Sequence, residues 1–346
     1  MRKTLPLVAI CLAGLVIVTL LAGGVTMLVI GVKEYLSKSE QTEAPKENAE
    51  QLPLEKGKSK PTLQQARKDF KTVPTHTSFK RDLDRPKPNV DAQVIEYPSG
   101  VGRCVAYLSK PRKVAGKRPA VVWAHGGFGG IGDGDWAQAK PFHDAGCVLM
   151  IPSFRGENDN FGQFEMFYRE VDDLLAAVDF VADQPGVDPT RIYVVGHSSG
   201  GTIALLAATT GPTKVRAFYS IAGLPDVQEF LRVTQGVGYA EASPPFNTKN
   251  VEEGRLRSAL PFVAAIKTPT FYIGVRSDDF TRQAVEMERR ADSVQVPFKT
   301  FILARPDHFK VVEPVVKFLA PRFAAAPSDA PPLPLDIKEL DALFTK

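Results

Sequence analysis

RIYVVGHSSGGTIALLAATT, residues 191–210, contains the transition that decides the fold. Residues 191–195 (RIYVV) have the β-branched and aromatic composition of a buried strand. Residues 202–209 are rich in Ala and Leu and predict a helix. Between them lies Gly196-His197-Ser198-Ser199-Gly200-Gly201, a G-x-S-x-G at a strand-to-helix turn. Such a turn lifts the serine to the carboxyl edge of a sheet, and its glycines let the backbone reverse without Cβ clashes. The following helix aims its first N–H groups and the positive end of its dipole at the place where an oxyanion would develop. The motif alone is common by chance, so the strand before it and the helix after it give it weight.

Outward from this turn, strand and helix patterns alternate from about residue 90, which predicts an α/β architecture. Residues 94–97 and 103–108 read as an early hairpin, and 120–124 (AVVWA), 147–152 (CVLMIP), 215–221, 270–275 and 298–303 as further strands. Helices are expected over 136–145, over 164–182 with apolar residues at three- and four-residue steps, and over 311–319. The expected fold is a mostly parallel central sheet with helices on both faces. Residues 224–267 break the rhythm and read as a short cap, in which Phe230, Tyr239, Phe246 and Phe262 either line a pocket or pack the cap.

A serine hydroxyl needs a base, and the chain offers five histidines: His76, His125, His143, His197 and His308. His76 falls in the N-terminal stretch, His143 on a helix before the motif, and His197 beside the nucleophile, with its side chain expected to project away from it. His308 follows the last strand and is the candidate base. The third member is a carboxylate after the strand at 270–275, where Asp278 is preferred and its neighbour Asp279 is the alternative. Asp307 adjoins the base and is poorly placed to brace the far ring nitrogen. The order Ser198, Asp278, His308 is that of α/β-hydrolases and differs from the chymotrypsin and subtilisin orders. His125-Gly126-Gly127-Phe128 follows the AVVWA strand, so Gly127 and Ser199 are the expected oxyanion-hole N–H donors.

Two other motifs lead nowhere. Gly127-Phe128-Gly129-Gly130-Ile131-Gly132 spells a dinucleotide fingerprint, but it runs into Asp133-Gly134-Asp135, and the strand ending near Pro152 carries no acid. His125 has no His, Cys or Glu companion at metal-ligand spacing. The expected chemistry uses no metal and no organic cofactor.

Residues 90–322 resemble the α/β-hydrolase domain of the prolyl oligopeptidase and dienelactone hydrolase group. The resemblance rests on His125-Gly126-Gly127, Phe154-Arg155-Gly156, Val187-Asp188-Pro189 with Arg191-Ile192, the serine motif, Asp278-Asp279-Phe280 and His308. It implies a serine hydrolase acting on an ester or a small peptide or amide. Two departures bear on substrate. Prolyl oligopeptidases carry a long β-propeller that the roughly 57 residues at 33–89 cannot build. They also place a tyrosine where this chain has His125. Both departures favour an open-access esterase or small-substrate hydrolase. A serine peptidase without a propeller and a non-catalytic binding protein that keeps the fold are the alternatives.

Beyond the hydrolase-like region, composition is the guide. Leu5 to Val32 carries no charged side chain and follows Arg2 and Lys3. It is long enough to span a bilayer, which needs roughly 20 residues, and exceeds the ~7–15-residue apolar core of a cleaved signal. Residues 1–32 are therefore expected to be a helical membrane anchor, with a cleaved signal peptide as the alternative. Arg2 and Lys3 favour a cytoplasmic N-terminus and an extracytoplasmic catalytic domain. Residues 33–89 read as a stalk, with two helical turns over 62–70 capped by Thr62, and 323–346 as an extended Ala/Pro-rich tail. Residues 1–89 hold 15 basic and 9 acidic side chains and residues 90–346 hold 28 and 30, so the net +4 belongs to the N-terminal quarter. That distribution argues against a nucleic-acid partner. The expected partners are the substrate and a membrane. Cys104 and Cys147 fix neither compartment nor pairing.

Overall fold

A computed structural model describes residues 61–76, 84–112, 115–234, 243–329, 331 and 334–345, together with the backbone of 16–21 and 24–29. The chain forms two compact units, Met1–Lys58 and Ser59–Lys346.

In the first unit, β1 (Val16–Leu21) and β2 (Gly24–Val29) pair antiparallel, from Val16 opposite Val29 to Leu21 opposite Gly24. This differs from the expected spanning helix, and no helix among the described residues is long and apolar enough to cross a membrane. The physical reason lies in the residues. Val16, Ile17, Val18, Thr19, Val25, Thr26 and Val29 are β-branched, and such side chains favour the pleated backbone over the helix. The rest of the 1–32 segment and all of 33–60 lie outside the described residues.

The second unit is built on an eight-stranded sheet. Its strands are β3 (Ala92–Ser99), β4 (Gly102–Ser109), β5 (Arg118–Ala124), β6 (Val148–Pro152), β7 (Val187–His197), β8 (Ala217–Ile221), β9 (Thr270–Val275) and β10 (Phe298–Leu303). The spatial order is β3-β4-β6-β5-β7-β8-β9-β10. The β3–β4 hairpin and the β4–β6 pair are antiparallel, and every pair from β6 to β10 is parallel. Strand β5 shows why the sheet is covered on both sides. Ala120, Val122 and Ala124 enter one core while Val121 and Trp123 enter the other, and all are fully buried. The first core takes the apolar stripes of α3 (Glu170–Ala182), α4 (Ser199–Ala208) and α7 (Thr281–Ser293). The second takes those of α2 (Asp133–Asp144), α8 (Val312–Ala325) and α9 (Ile337–Ala342).

Four segments depart from the sequence reading. Helix α3 begins at Glu170 instead of residue 164, because Met166 and Phe167 take left-handed backbone angles (φ 50° and 67°). Helix α7, for which no element was expected, buries Ala284, Met287 and Ala291 at helical spacing under an otherwise charged surface. The tail is not simply extended. Asp336 accepts the Lys338 N–H (2.6 Å) to cap α9, and Leu340 is fully buried. Residues 61–70, expected as part of a stalk, pack on the domain. Helix α1 (Leu63–Arg67) has the expected Thr62 cap, completed by Gln65, and Leu63 is fully buried against the domain.

The cap region holds α5 (Val227–Val233), α6 (Val251–Arg255) and a 3-10 turn (Leu260–Ala265). Phe246 and Phe262 are buried beneath Arg257 and Arg255 and act as packing, while Phe230 is half-buried; Tyr239 lies outside the described residues. The parallel pairing therefore brings the carboxyl ends of β5, β7, β9 and β10 to one edge of the sheet, and the loop after each holds a residue singled out from sequence: Gly127, Ser198, Asp278 and His308.

Candidate active site

Ser198 stands between β7 and α4 with φ 54° and ψ −119°, a conformation that costs a non-glycine residue on the order of 1–3 kcal/mol. The surroundings enforce it. The Ser198 N–H donates to the Ile221 carbonyl (2.9 Å), and the Ser198 carbonyl accepts from Thr202 N–H (3.0 Å), the first bond of the helix. Two glycines are obligatory here. A Cβ on Gly196 would stand 2.3 Å from the Gly200 oxygen, and one on Gly200 would stand 2.0 Å from the Ala124 oxygen. Close backbone approach, more than conformational freedom, thus explains these positions of the motif.

His308 follows β10 and meets Ser198 from the other side. Its Nε2 lies 3.0 Å from Ser198 Oγ, and its Nδ1 lies 2.8 Å from Asp278 Oδ2. An Nδ1–H donating to the carboxylate leaves Nε2 free to accept the serine proton, so the geometry selects the tautomer. Asp278 follows β9, its N–H donating to the Val275 carbonyl (3.1 Å) and its carbonyl accepting from Thr281 N–H (3.1 Å). Of the two aspartates left open by sequence, Asp278 is the one that reaches His308. Asp307 is occupied locally, accepting the N–H groups of Phe309 (3.1 Å) and Lys310 (2.8 Å) to shape the turn that presents the histidine.

Ser199 is the first residue of α4, where a helix leaves its N–H groups without intrahelical partners. Its hydroxyl donates to the Gly127 carbonyl (2.6 Å), which ties the serine turn to the loop after β5. Gly127 has φ 72°, a backbone state that suits glycine.

Three features were not read from sequence. His197, set aside as a base, is not idle: its Nε2 donates to the main-chain oxygen of His308 (2.9 Å). Burial pushes His197 down to about 4, so it is neutral near pH 7 with its single proton on the nitrogen that donates. His125 is fully buried with Nε2 3.0 Å from Glu157 Oε2. Burial alone would depress it, but the Glu157 carboxylate outweighs that and raises it to about 9. The resulting imidazolium donates to Glu157 and also to the Gly126 carbonyl (3.1 Å). Finally, the His308 ring is met edge-on by Phe280 (6.1 Å) and Phe309 (5.1 Å), and Phe309 is 75% exposed. Cys104 and Cys147 are free, buried thiols, pushed up by burial to about 11 and about 12, far from thiolate chemistry.

An alcohol held against an imidazole that faces a carboxylate, beside the first turn of a helix, is an arrangement suited to acyl transfer. Comparison with known proteins is consistent with that chemistry. The profile of the prolyl oligopeptidase family matches residues 135–317. YtmA of Bacillus subtilis strain 168, an uncharacterized peptidase, is 22% identical over 240 residues, 66% of this chain and 91% of its own length. Human lipase member M is 27% identical over 154 residues, covering 38% of this chain and 35% of the lipase. Among solved structures, the acylaminoacyl peptidase of Pyrococcus horikoshii superposes with a TM-score of 0.59 at 16% identity, over 72% of this chain and 44% of that one. An esterase of Pyrobaculum calidifontis gives 0.56 at 19% identity, over 69% of this chain and 86% of that one. The structural likenesses establish the α/β-hydrolase fold. This chain spans most of YtmA and of the esterase but less than half of the acylaminoacyl peptidase.

Proposed function

The chain belongs to the prolyl oligopeptidase family and is a serine hydrolase of the peptidase and esterase type, and on that premise we propose that it cleaves an ester or a small amide through an acyl-enzyme on Ser198. His308 takes the Ser198 proton as Oγ attacks the carbonyl carbon. The carbonyl oxygen becomes an anion that the Gly127 and Ser199 N–H groups receive. The imidazolium formed on His308, held by Asp278, then protonates the leaving alcohol or amine, and the C–O or C–N bond breaks. Water repeats the sequence on the acyl-enzyme, giving up its proton to His308 and releasing the acid and free Ser198.

One observation carries this reading: His308 bridges Ser198 and Asp278 at 3.0 Å and 2.8 Å through its two ring nitrogens. A binding protein that merely keeps the fold has no need of that double contact. The experiment is steady-state turnover of p-nitrophenyl acyl esters against aminoacyl and prolyl p-nitroanilides, each with a Ser198→Ala control. Ser198-dependent ester turnover supports the esterase reading, and Ser198-dependent anilide turnover the peptidase reading. Absence of both would defeat the proposal.

The N-terminal segment supports a second, separate part of the proposal. The uncharged run Leu5–Val32 after Arg2 and Lys3 favours an enzyme held at a membrane with its catalytic domain outside the cytoplasm. Fractionation of cells expressing the full chain, with alkaline carbonate extraction, tests it. Recovery in the soluble fraction would contradict it.

A further inference from the structure

The segment 61–76 packs on the domain and grips it through two side chains. Arg67, on α1, places its guanidinium on three main-chain carbonyls from two distant segments. Its Nη1 donates to Tyr168 (2.6 Å), its Nη2 to Phe167 (2.9 Å) and Leu256 (2.6 Å), and its Nε to Leu256 (3.1 Å). The same group lies 4.3 Å from the centre of the Tyr168 ring. Five residues on, Thr72 is buried and donates to the Glu253 carboxylate (2.8 Å), while Arg257 Nη2 donates to the Thr72 hydroxyl (2.9 Å).

What these groups hold is the turn before α3. Met166 and Phe167 are consecutive non-glycine residues with left-handed φ, which persists only where surroundings over-determine it. Here every side of the turn is held. Glu170 accepts the N–H groups of Glu165 (2.6 Å) and Tyr168 (2.9 Å), Arg257 Nε donates to the Glu165 carbonyl (3.0 Å), and Arg67 donates to the Phe167 and Tyr168 carbonyls. The turn in turn presents two aromatic rings to one residue of the oxyanion loop. Phe164 and Phe167 pack on Phe128 with ring centres 5.3 Å and 5.8 Å away. Phe128 directly follows Gly127, so its seat constrains where the Gly127 peptide sits.

We propose that Arg67 is a positioning residue for the oxyanion loop, acting through the Met166-Phe167 turn and the Phe128 ring. The proposal rests on the reading of Gly127 as an oxyanion donor. Arginine suits the task because its planar fork satisfies several carbonyls at fixed angles, whereas a lysine ammonium is a single point on a flexible stem.

The test uses the full chain and p-nitrophenyl acetate, with the concentration of competent sites fixed by the acylation burst. Arg67→Lys is expected to lower kcat per titrated site by roughly 3- to 30-fold with KM within about twofold, as for other residues that act at a distance. Phe167→Leu leaves the arm intact and should lower kcat similarly. Because both act through one ring, Arg67→Lys added to Phe128→Leu should cost less than about twofold more than Phe128→Leu alone. An Arg67→Lys protein with a lower Tm but unchanged kcat per site would overturn the proposal. So would an unchanged kcat in Phe167→Leu, which decides the matter even if the Arg67 variant does not fold. Failure of the serine reading is distinguishable, because turnover would then survive Ser198→Ala.

Discussion

The Nε2 of His197 lies 2.9 Å from the main-chain oxygen of His308, so the residue before Ser198 holds the backbone of the histidine that meets Ser198. The two rings stand 5.0 Å apart, and the Nδ1 side of His197 lies against Gly126 in the loop after β5. His197 therefore fixes the distance between parts that arrive from three different strands. Loss of this brace lets the imidazole drift, and a misplacement of about 1 Å can cost on the order of 100-fold. His197→Ala is expected to lower kcat by about that factor with little change in KM, and His197→Gln, which keeps an N–H donor, to recover part of it. Steady-state kinetics per burst-titrated site checks both variants.

The two neighbouring carboxylates should separate sharply. Asp278 holds Nδ1 of His308 at 2.8 Å, so Asp278→Asn turns the useful tautomer into the wrong one. A loss of roughly 10⁴-fold in kcat is expected there. Asp279→Asn should stay within a few-fold of the parent, measured on the same ester. A larger loss at Asp279 would reverse the assignment.

Stability should fall on the alkaline side because of His125. Its folded state is raised from 6.5 to about 9, so the native chain binds the proton more tightly than the unfolded one. The stabilisation, on the order of 3 kcal/mol, is complete below about pH 6.5 and is lost as the pH rises through about 9. Glu170, pushed up to about 7 by burial, acts over a lower window between 4.5 and 7, while the buried Cys104 and Cys147 thiols, raised from 9.0, add a loss that begins near pH 9 and is shared by every variant that keeps them. Urea unfolding at pH 7.0 and 9.5 measures the difference. Glu157→Gln should be less stable at pH 7 and lose less stability across that range than the parent, the difference between the two measuring the histidine.

The exposed ring of Phe309 beside His308 offers apolar surface at the site. Phe309→Ala is expected to raise KM for long-chain p-nitrophenyl esters by roughly 10-fold, the worth of about 1–2 kcal/mol of buried apolar contact, and to change acetate turnover little. A series of acyl chain lengths checks this.

Where the sequence was informative, local chemistry and strand order coincided. Gly196, Ser198 and Gly200 announced the turn, and the loops after β9 and β10 could be found by counting strands, which brought Asp278 and His308 into view. What stayed hidden depends on contacts between distant segments. Nothing local marks Arg67 as a residue that holds Phe167 and Leu256, about 100 and 189 positions away. The same holds for the His197 bond to His308 and for the Glu157 that charges His125. The start of α3 was misplaced because the apolar spacing of Phe164 and Phe167 continues the helical stripe, although their backbone belongs to a turn that those rings anchor on Phe128. The two strands at 16–29 were masked by an uncharged run that fits a helix in length while its β-branched residues fit strands.

The central claim is that Ser198 is the acylated nucleophile, and intact-mass spectrometry after a fluorophosphonate reaction tests it most directly. The account predicts a single phosphonyl adduct that maps to the peptide containing Ser198, absent in Ser198→Ala and formed at least about 100-fold more slowly in His308→Ala. An adduct that persists in Ser198→Ala, or no adduct on the folded parent chain, would contradict it.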